Sequence, residues 1–265
     1  MTPAQHPHDH EGRLASEASF HDVAFEQQIR RKAWKFYDVA SGAYERYGVL
    51  IRNAVSEGSG ALEYGCGPGS AAFGLARMGV DVDGIDISPV AISLAREAAQ
   101  RDGVADHATF AVMDAEQLEF PDQSFDLVCG TSIIHHLDVK RAFSEVARVL
   151  RPGGTAVFLE ALGHNPAINT YRRLTPALRT ADEHPLRMKD AAAARSYFAA
   201  VEMEHYALLS LAAMAVRGRP AFGSVNARLQ RADQAVFRAL PPLRRWSWMA
   251  LLKLSGPHTK HAAVR

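Results

Sequence analysis

The sequence has few cysteines, almost no net charge and no long apolar run. Cys66 and Cys129 are the only cysteines among 265 residues, which excludes a disulfide-stapled scaffold and favours reduced thiols in the cytoplasm. Thirty basic and 29 acidic side chains leave a net charge of +1, so no overall field attracts nucleic acid. The longest mainly apolar run, residues 207–216, is far shorter than a bilayer span, and the first residues lack the apolar core of a signal peptide. We therefore expect a cytoplasmic protein that neither spans a membrane nor binds nucleic acid.

The apolar pattern divides the chain into four segments, and a hydrophobic content of 48% is enough for a well-buried core. Residues 1–19 are polar and predict a disordered leader, and residues 20–57 predict a layer of N-terminal helices. Residues 58–162 predict a Rossmann-like core. Residues 163–265 predict a substrate-binding region that contains a helical lid and the last strands.

Four histidines lie in or beside the predicted leader, and they raise the question of a metal site. A ligand pair binds a metal well when regular structure holds it in place, and none is predicted for this segment. We therefore expect no metal site from His6, His8, His10 and His21.

Short apolar runs alternate with amphipathic stretches between residues 58 and 162, which is typical of a parallel sheet covered by helices on both faces. The predicted fold is α/β: a doubly wound, mostly parallel, seven-stranded Rossmann-like sheet, with N-terminal helices and a helical lid inserted between strands 6 and 7. The strands are predicted at residues 61–64, 81–85, 108–112, 125–129, 155–159, 201–206 and 247–254.

A glycine-rich turn follows the first predicted strand and opens a helix. Gly65, Gly67 and Gly69 allow positive φ angles and a close approach of the backbone to a ligand. A dinucleotide-binding turn has the spacing GxGxxG, whereas the third glycine here comes one residue early. The spacing therefore disfavours a nicotinamide dinucleotide and leaves open either another nucleoside ligand or a tight turn without one.

Acidic residues follow the second and third predicted strands. Asp86 comes at the carboxyl end of the second strand, where a carboxylate can accept both hydrogen bonds of a ribose diol. Asp114 comes at the end of the third strand, where it can accept a hydrogen bond from an adenine amino group. Each acid alone also fits a helix cap or a solvated turn. Together with the glycine turn, they predict one nucleoside site.

These features resemble the class I S-adenosylmethionine-dependent methyltransferases of the small-molecule type. The resemblance rests on residues 63–69, Asp86, Asp114 and the strand at 125–128. It implies that S-adenosylmethionine is the cofactor and S-adenosylhomocysteine the product. Glu63 is implied to lie near the methionyl ammonium. A tyrosine of the N-terminal helices, Tyr37 or Tyr44, would close over the methionyl carboxylate. The full implied cofactor set is Tyr37, Glu63, Tyr64, Gly65, Cys66, Gly67, Gly69, Asp86, Ile87, Asp114, Ala115, Glu116 and Thr131.

Three histidines near the predicted methyl position are candidate bases. His135 and His136 follow the fourth strand, and His164 follows the fifth. The sulfonium methyl is already activated, so a base is needed only if the acceptor is a hydroxyl. An architectural role is the alternative for each of these histidines. We leave the choice among the three open.

Apolar side chains outnumber polar ones in the predicted lid, which favours a small hydrophobic acceptor such as a secondary metabolite, quinone, terpenoid or lipid-like molecule. The predicted function is O- or C-methylation of that acceptor. The alternative is a non-catalytic module that binds S-adenosylmethionine for regulation or assembly. Residues 244–248, two arginines and two tryptophans around a serine, allow weak contact with a membrane surface. An exposed N-terminal helix also allows a homo-oligomer.

Overall fold

The computed structural model describes residues 7–26, 37–69, 71–175 and 184–258. The strands are β1 (Gly60–Tyr64), β2 (Asp81–Asp86), β3 (Ala108–Val112), β4 (Phe125–Thr131), β5 (Leu150–Ala161), β6 (Phe198–Tyr206) and β7 (Met249–Pro257). Within the described ranges they form one sheet in the order β3-β2-β1-β4-β5-β7-β6. The pairs among β1 to β5 are parallel, and β7 is antiparallel to β5 and to β6. The predicted seven-stranded, mostly parallel sheet is confirmed.

Helices cover both faces of this sheet. In chain order they are α1 (Pro7–Glu26), α2 (Ser41–Asn53), α3 (Ala71–Ala76), α4 (Pro89–Arg101), α5 (Val139–Val149), α6 (Pro166–Leu174), α7 (Met188–Ala193) and α8 (Phe222–Ala239). Local sequence sets their starts. The Ser88 hydroxyl accepts a hydrogen bond from the Ala91 amide at 3.0 Å and precedes a proline at the first position of α4. Among the described residues, no helix combines the length and the apolar character needed to cross a membrane.

The central strands β1, β4 and β5 are buried on both faces. Ala61 and Leu62 of β1 and Leu127 and Val128 of β4 have no exposed surface, and alternate residues belong to the apolar clusters on opposite faces of the sheet. Continuous apolar runs rather than alternating ones therefore mark these strands. The carboxyl ends of these strands lie together at one edge of the sheet. Most of the predicted site residues lie at that edge or in the loops that follow it.

The predicted disorder up to residue 19 is wrong for residues 7–19, because the structure has α1 there. This helix has no apolar stripe, so its sequence shows no amphipathic periodicity. Polar contacts with the core hold it instead: Arg13 Nη2 donates to Glu116 Oε1 at 2.6 Å, and the Ser88 hydroxyl donates to Asp22. Residues 27–36 of the predicted N-terminal helical layer lie outside the described residues.

A helical insertion connects β6 to β7 at the predicted place. It consists of a 3-10 turn at Ser210–Val216, α8, and a second 3-10 turn at Pro241–Trp246. Met249, the first residue of β7, pairs with Tyr206 and with Ala161, the last residues of β6 and β5. The insertion therefore leaves and rejoins the sheet at the carboxyl edge of the parallel strands, and its role as a lid stays a prediction.

Candidate functional site

The turn after β1 has the conformation that its glycines allow. Gly65, Gly67 and Gly69 have φ angles of +68°, +53° and +88°, values that favour glycine. A Cβ added to Gly65 would lie 2.8 Å from the Ile133 side chain, so this position has no room for a side chain. The turn therefore presents bare backbone between the ends of β1 and β4.

Asp86 holds this turn from the end of β2. Its Oδ2 accepts a hydrogen bond from the Gly67 amide at 2.8 Å, and its Oδ1 accepts one from the Ser88 amide at 2.9 Å. The carboxylate thus lies beside the glycine turn, as the sequence predicts. Ile87 follows it, partly exposed.

Glu63 lies under the same turn and caps the helix that follows. Its two carboxylate oxygens accept the amides of Ala71 and Ala72 at 3.0 and 2.8 Å, and the side chain is buried. The negative charge at the start of α3 stabilises the unpaired amides of the first turn. The structure thus shows a role that the sequence analysis did not consider, and contact of Glu63 with the methionyl ammonium stays a prediction.

The third strand ends in a short loop that carries Asp114, Ala115 and Glu116. Asp114 Oδ1 accepts the Glu116 amide at 2.8 Å, which orients the carboxylate. The Tyr64 side chain is fully buried, and its hydroxyl donates to the Ala115 carbonyl oxygen. Burial raises the pKa of Tyr64 well above its ordinary value. The Tyr64 side chain therefore ties β1 to this loop, and only its backbone remains available to a cofactor.

Helix α1 lies over this loop, an arrangement that the sequence analysis missed. His10 Nε2 lies 2.9 Å from Asp114 Oδ2, and Arg13 pairs with the buried Glu116. Arg13 also donates to the His136 carbonyl oxygen at 2.9 Å. The helix thus joins the β3 loop to the β4 loop across the end of the sheet. Only the charge pattern of its first turns, a histidine and an arginine three residues apart, could have indicated it.

The candidate base His135 is held by a carboxylate from the neighbouring strand. Its Nδ1 lies 2.6 Å from Glu160 Oε2, and both side chains are buried. Glu160 Oε1 accepts the amides of Ile133 and Ile134, each at 2.9 Å. When a carboxylate accepts a hydrogen bond from Nδ1–H, the lone pair of the neutral ring is on Nε2. Glu160 lies near the end of β5 next to His135, and its place at a strand end is the signal that the sequence analysis overlooked.

The remaining predicted residues are spread around this edge. Thr131 ends β4 and is partly exposed, and Cys66 is buried in the glycine turn, where burial raises the pKa of its thiol. Tyr37 stacks on Trp248 with ring centroids 5.2 Å apart and meets Tyr44 edge-on. His164 Nε2 accepts the Met188 amide at 3.3 Å. This contact joins His164 to the first residue of α7, and a role for His164 as a base stays a prediction.

A cavity of about 890 Å³ opens beside His135 and His136. Its wall combines apolar and charged residues from α1, the turn after β4, the start of α5, and the segment that runs into α7. These include Leu137, Val139, Leu186, Arg13, Arg187 and Lys189. The cavity has the size of a small-molecule site, and its charged groups were not expected from the sequence.

Comparison with known proteins agrees with this geometry. Residues 62–158 match the family described as "Methyltransferase domain". The chain is 40% identical over 102 residues to methyltransferase GfsG of Streptomyces halstedii, covering 38% of this chain and 37% of that protein. It is 40% identical over 95 residues to the 27-O-demethylrifamycin SV methyltransferase of Amycolatopsis mediterranei, covering 35% of each. The matched part is thus little more than a third of these relatives.

A solved structure extends the likeness beyond the central core. Phosphoethanolamine N-methyltransferase 2 of Haemonchus contortus, in complex with S-adenosyl-L-methionine, has a TM-score of 0.61 and 18% sequence identity, and the match covers 90% of this chain and 60% of that one. At this identity the likeness shows the fold, and the substrate of that protein is its own.

Proposed function

We propose that the chain, whose residues 62–158 match the methyltransferase domain family, is a class I S-adenosylmethionine-dependent methyltransferase that methylates a small, largely apolar acceptor. The observation that carries the proposal is the grouping of Gly65, Asp86, Asp114 and the His135–Glu160 pair at one edge of the sheet. Ligands of open α/β sheets bind at this carboxyl edge.

The residues present fit the cofactor. The glycine turn has no side chain at Gly65, Gly67 and Gly69, so its backbone is open to a close approach, and acids stand at the ends of β2 and β3. Asp86 would accept the ribose hydroxyls, and Asp114 would accept the adenine amino group. S-adenosylmethionine, when bound, supplies a methyl group that is already activated by the sulfonium. The protein must therefore position the acceptor and exclude water rather than activate the donor.

We propose His135 as the base where the acceptor is a hydroxyl. Glu160 accepts from Nδ1 and so leaves Nε2 as the atom that takes the acceptor proton. The carboxylate also stabilises the imidazolium that this transfer produces. Because His135 is among the residues that line the 890 Å³ cavity, the acceptor would approach it from there. His136 and His164 remain architectural in this proposal.

The acceptor class is proposed from the cavity and from the relatives. Leu137, Val139 and Leu186 are the apolar part of a wall that is otherwise mostly polar and charged, and the curated relatives include enzymes named for rifamycin, sterol and quinone substrates. Residues 163–265, with the insertion around α8, would contribute the cover over this acceptor. The mixed wall also accommodates an acceptor with polar groups at one end.

The test is incubation of the purified protein with methyl-labelled S-adenosylmethionine and a lipid extract of its source cells. We expect label in a small organic product whose identity gives both the acceptor and the methylated atom. Calorimetry with the cofactor, run in parallel, separates the alternatives. Cofactor binding without any labelled product from extract would favour a non-catalytic S-adenosylmethionine-binding module instead.

We also propose a cytoplasmic location and weak contact with a membrane surface. Cys66 and Cys129 are both buried and unpaired, which suits a reducing compartment. Trp246 is partly exposed beside Arg245, whose guanidinium lies 5.3 Å from the ring centroid. Sedimentation with anionic vesicles tests the contact: we expect binding that weakens in the Trp246→Ala variant and at high salt.

A further inference from the structure

A cluster of two histidines and a glutamate, all potential metal ligands, lies next to the proposed base. Glu17 and His21 are one helical turn apart on α1, so their side chains extend from the same face of that helix. His136 faces them from the 3-10 turn after β4. One ligand atom from each of the three residues lies within 4.8 Å of the other two.

Two distances in this cluster match the separation between two ligand atoms of one metal ion. His21 Nε2 and His136 Nδ1 each lie 3.4 Å from Glu17 Oε2. The two imidazole rings meet edge-on, with centroids 5.4 Å apart. Two ligand atoms that each lie about 2.1 Å from a tetrahedral metal are about 3.4 Å apart. The two separations from Glu17 Oε2 are therefore those expected of ligands that share one ion, and the two histidine nitrogens lie within 4.8 Å of each other.

Burial strengthens this assignment. Glu17 and His136 are 5% and 9% exposed, and the His21 side chain is 13% exposed. A divalent cation would compensate the cost of removing the Glu17 carboxylate from water. Two imidazole nitrogens and one carboxylate oxygen are ligands that suit zinc and the neighbouring divalent transition metals.

We propose that Glu17, His21 and His136 bind a divalent transition metal ion, with zinc as the reference ion, between α1 and the turn after β4. His136 also lines the 890 Å³ cavity, so a water or an acceptor oxygen can supply the fourth ligand from there. The ion would hold α1 against the loop that carries His135. No metal site was expected from the histidines at the start of the chain, because no regular structure was predicted to hold a ligand pair there; α1 removes that reason for His21.

The experiment measures metal binding directly, without cofactor or acceptor. Untagged protein with all 265 residues is stripped with a chelator and titrated with zinc chloride by calorimetry. We expect one zinc ion per chain. The variants Glu17→Gln, His21→Asn and His136→Asn should each raise the Kd for zinc by about 100-fold, since each removes one of three ligands. Circular dichroism checks that each variant folds.

Matched controls separate this site from other histidines. His107→Asn breaks another histidine–carboxylate pair, whose Nδ1 lies 2.9 Å from Asp81 Oδ1 at the start of β2, and should leave zinc binding unchanged. Joint replacement of His6 and His8 should also leave it unchanged. Cobalt in place of zinc should give visible d–d absorption that is lost in His21→Asn. Absence of zinc binding, or binding lost only with the leader histidines, would overturn the proposal.

Discussion

Replacement of Glu160 by glutamine tests the proposed base through the ring nitrogen that carries the proton. The amide oxygen of the new side chain can still accept the amides of Ile133 and Ile134, which lie 2.9 Å from Glu160 Oε1. Its amide nitrogen would then face His135 Nδ1, at the place of an oxygen now 2.6 Å away. An amide donates there, so the imidazole must move its proton from Nδ1 to Nε2.

The magnitude follows from that exchange of tautomers. With the proton on Nε2, His135 has no lone pair toward the acceptor, and the contribution of a general base, about 100- to 10,000-fold, is lost from kcat. This corresponds to about 3–5 kcal/mol on the barrier. The backbone hydrogen bonds are retained, so we expect the free energy of unfolding to change by no more than about 2 kcal/mol.

Two assays check the prediction. Long-range proton–nitrogen NMR correlations of the imidazole identify its tautomer and need no acceptor. Turnover with the acceptor found in the labelling experiment gives kcat. Glu63→Gln is the matched control, because Glu63 is another buried carboxylate that holds two backbone amides, and it should leave the His135 tautomer unchanged.

Either of two results would refute the reasoning. If His135 keeps its proton on Nδ1 in Glu160→Gln, the carboxylate does not control the tautomer. If the tautomer changes and kcat falls by less than about tenfold, His135 is not the base. The second result would favour methylation of carbon, which needs no base before transfer.

Three further predictions concern the cofactor turn and stability. Asp86→Asn should raise the Kd for S-adenosylmethionine about 10- to 100-fold, because charged acceptors strengthen hydrogen bonds; calorimetry giving a change below about threefold would contradict the assigned role. Gly65→Ala should lower the urea-unfolding free energy by about 2–3 kcal/mol, because its φ is +68° and its Cβ would meet Ile133. Gly153→Ala is the control, because Gly153 has φ +87° but open space around it. This variant should lower the same free energy by about 1 kcal/mol, and an equal decrease in both variants would disprove the clash at Gly65. Burial lowers the pKa of His205 from 6.5 to about 4, so the neutral ring stabilises the fold above pH 6.5. That stability should fall between pH 6.5 and 4 by up to about 1.4 kcal/mol per pH unit, with a flatter profile in His205→Asn.

The sequence alone was sufficient for the parallel core and for the placement of the acids at its edge. Strand and helix periodicity, the cap of α4, and the glycine turn are all local, so the predicted strands at 61–64, 81–85 and 108–112 agree closely with β1, β2 and β3. Parallel strands bring their carboxyl ends to one edge. For this reason Asp86 and Asp114 could be placed near Gly65 without coordinates.

Only the tertiary structure identified the residues whose role depends on partners that are distant in sequence. Helix α1 has no apolar stripe, and its position depends on pairs such as Arg13 with Glu116, 103 residues apart. Glu160 is one more acid in the sequence until β4 and β5 bring it to His135. The three residues of the proposed metal site likewise meet only when α1 packs against the β4 loop. A local sequence pattern cannot predict such contacts, because they pair charged side chains that lie far apart in the sequence.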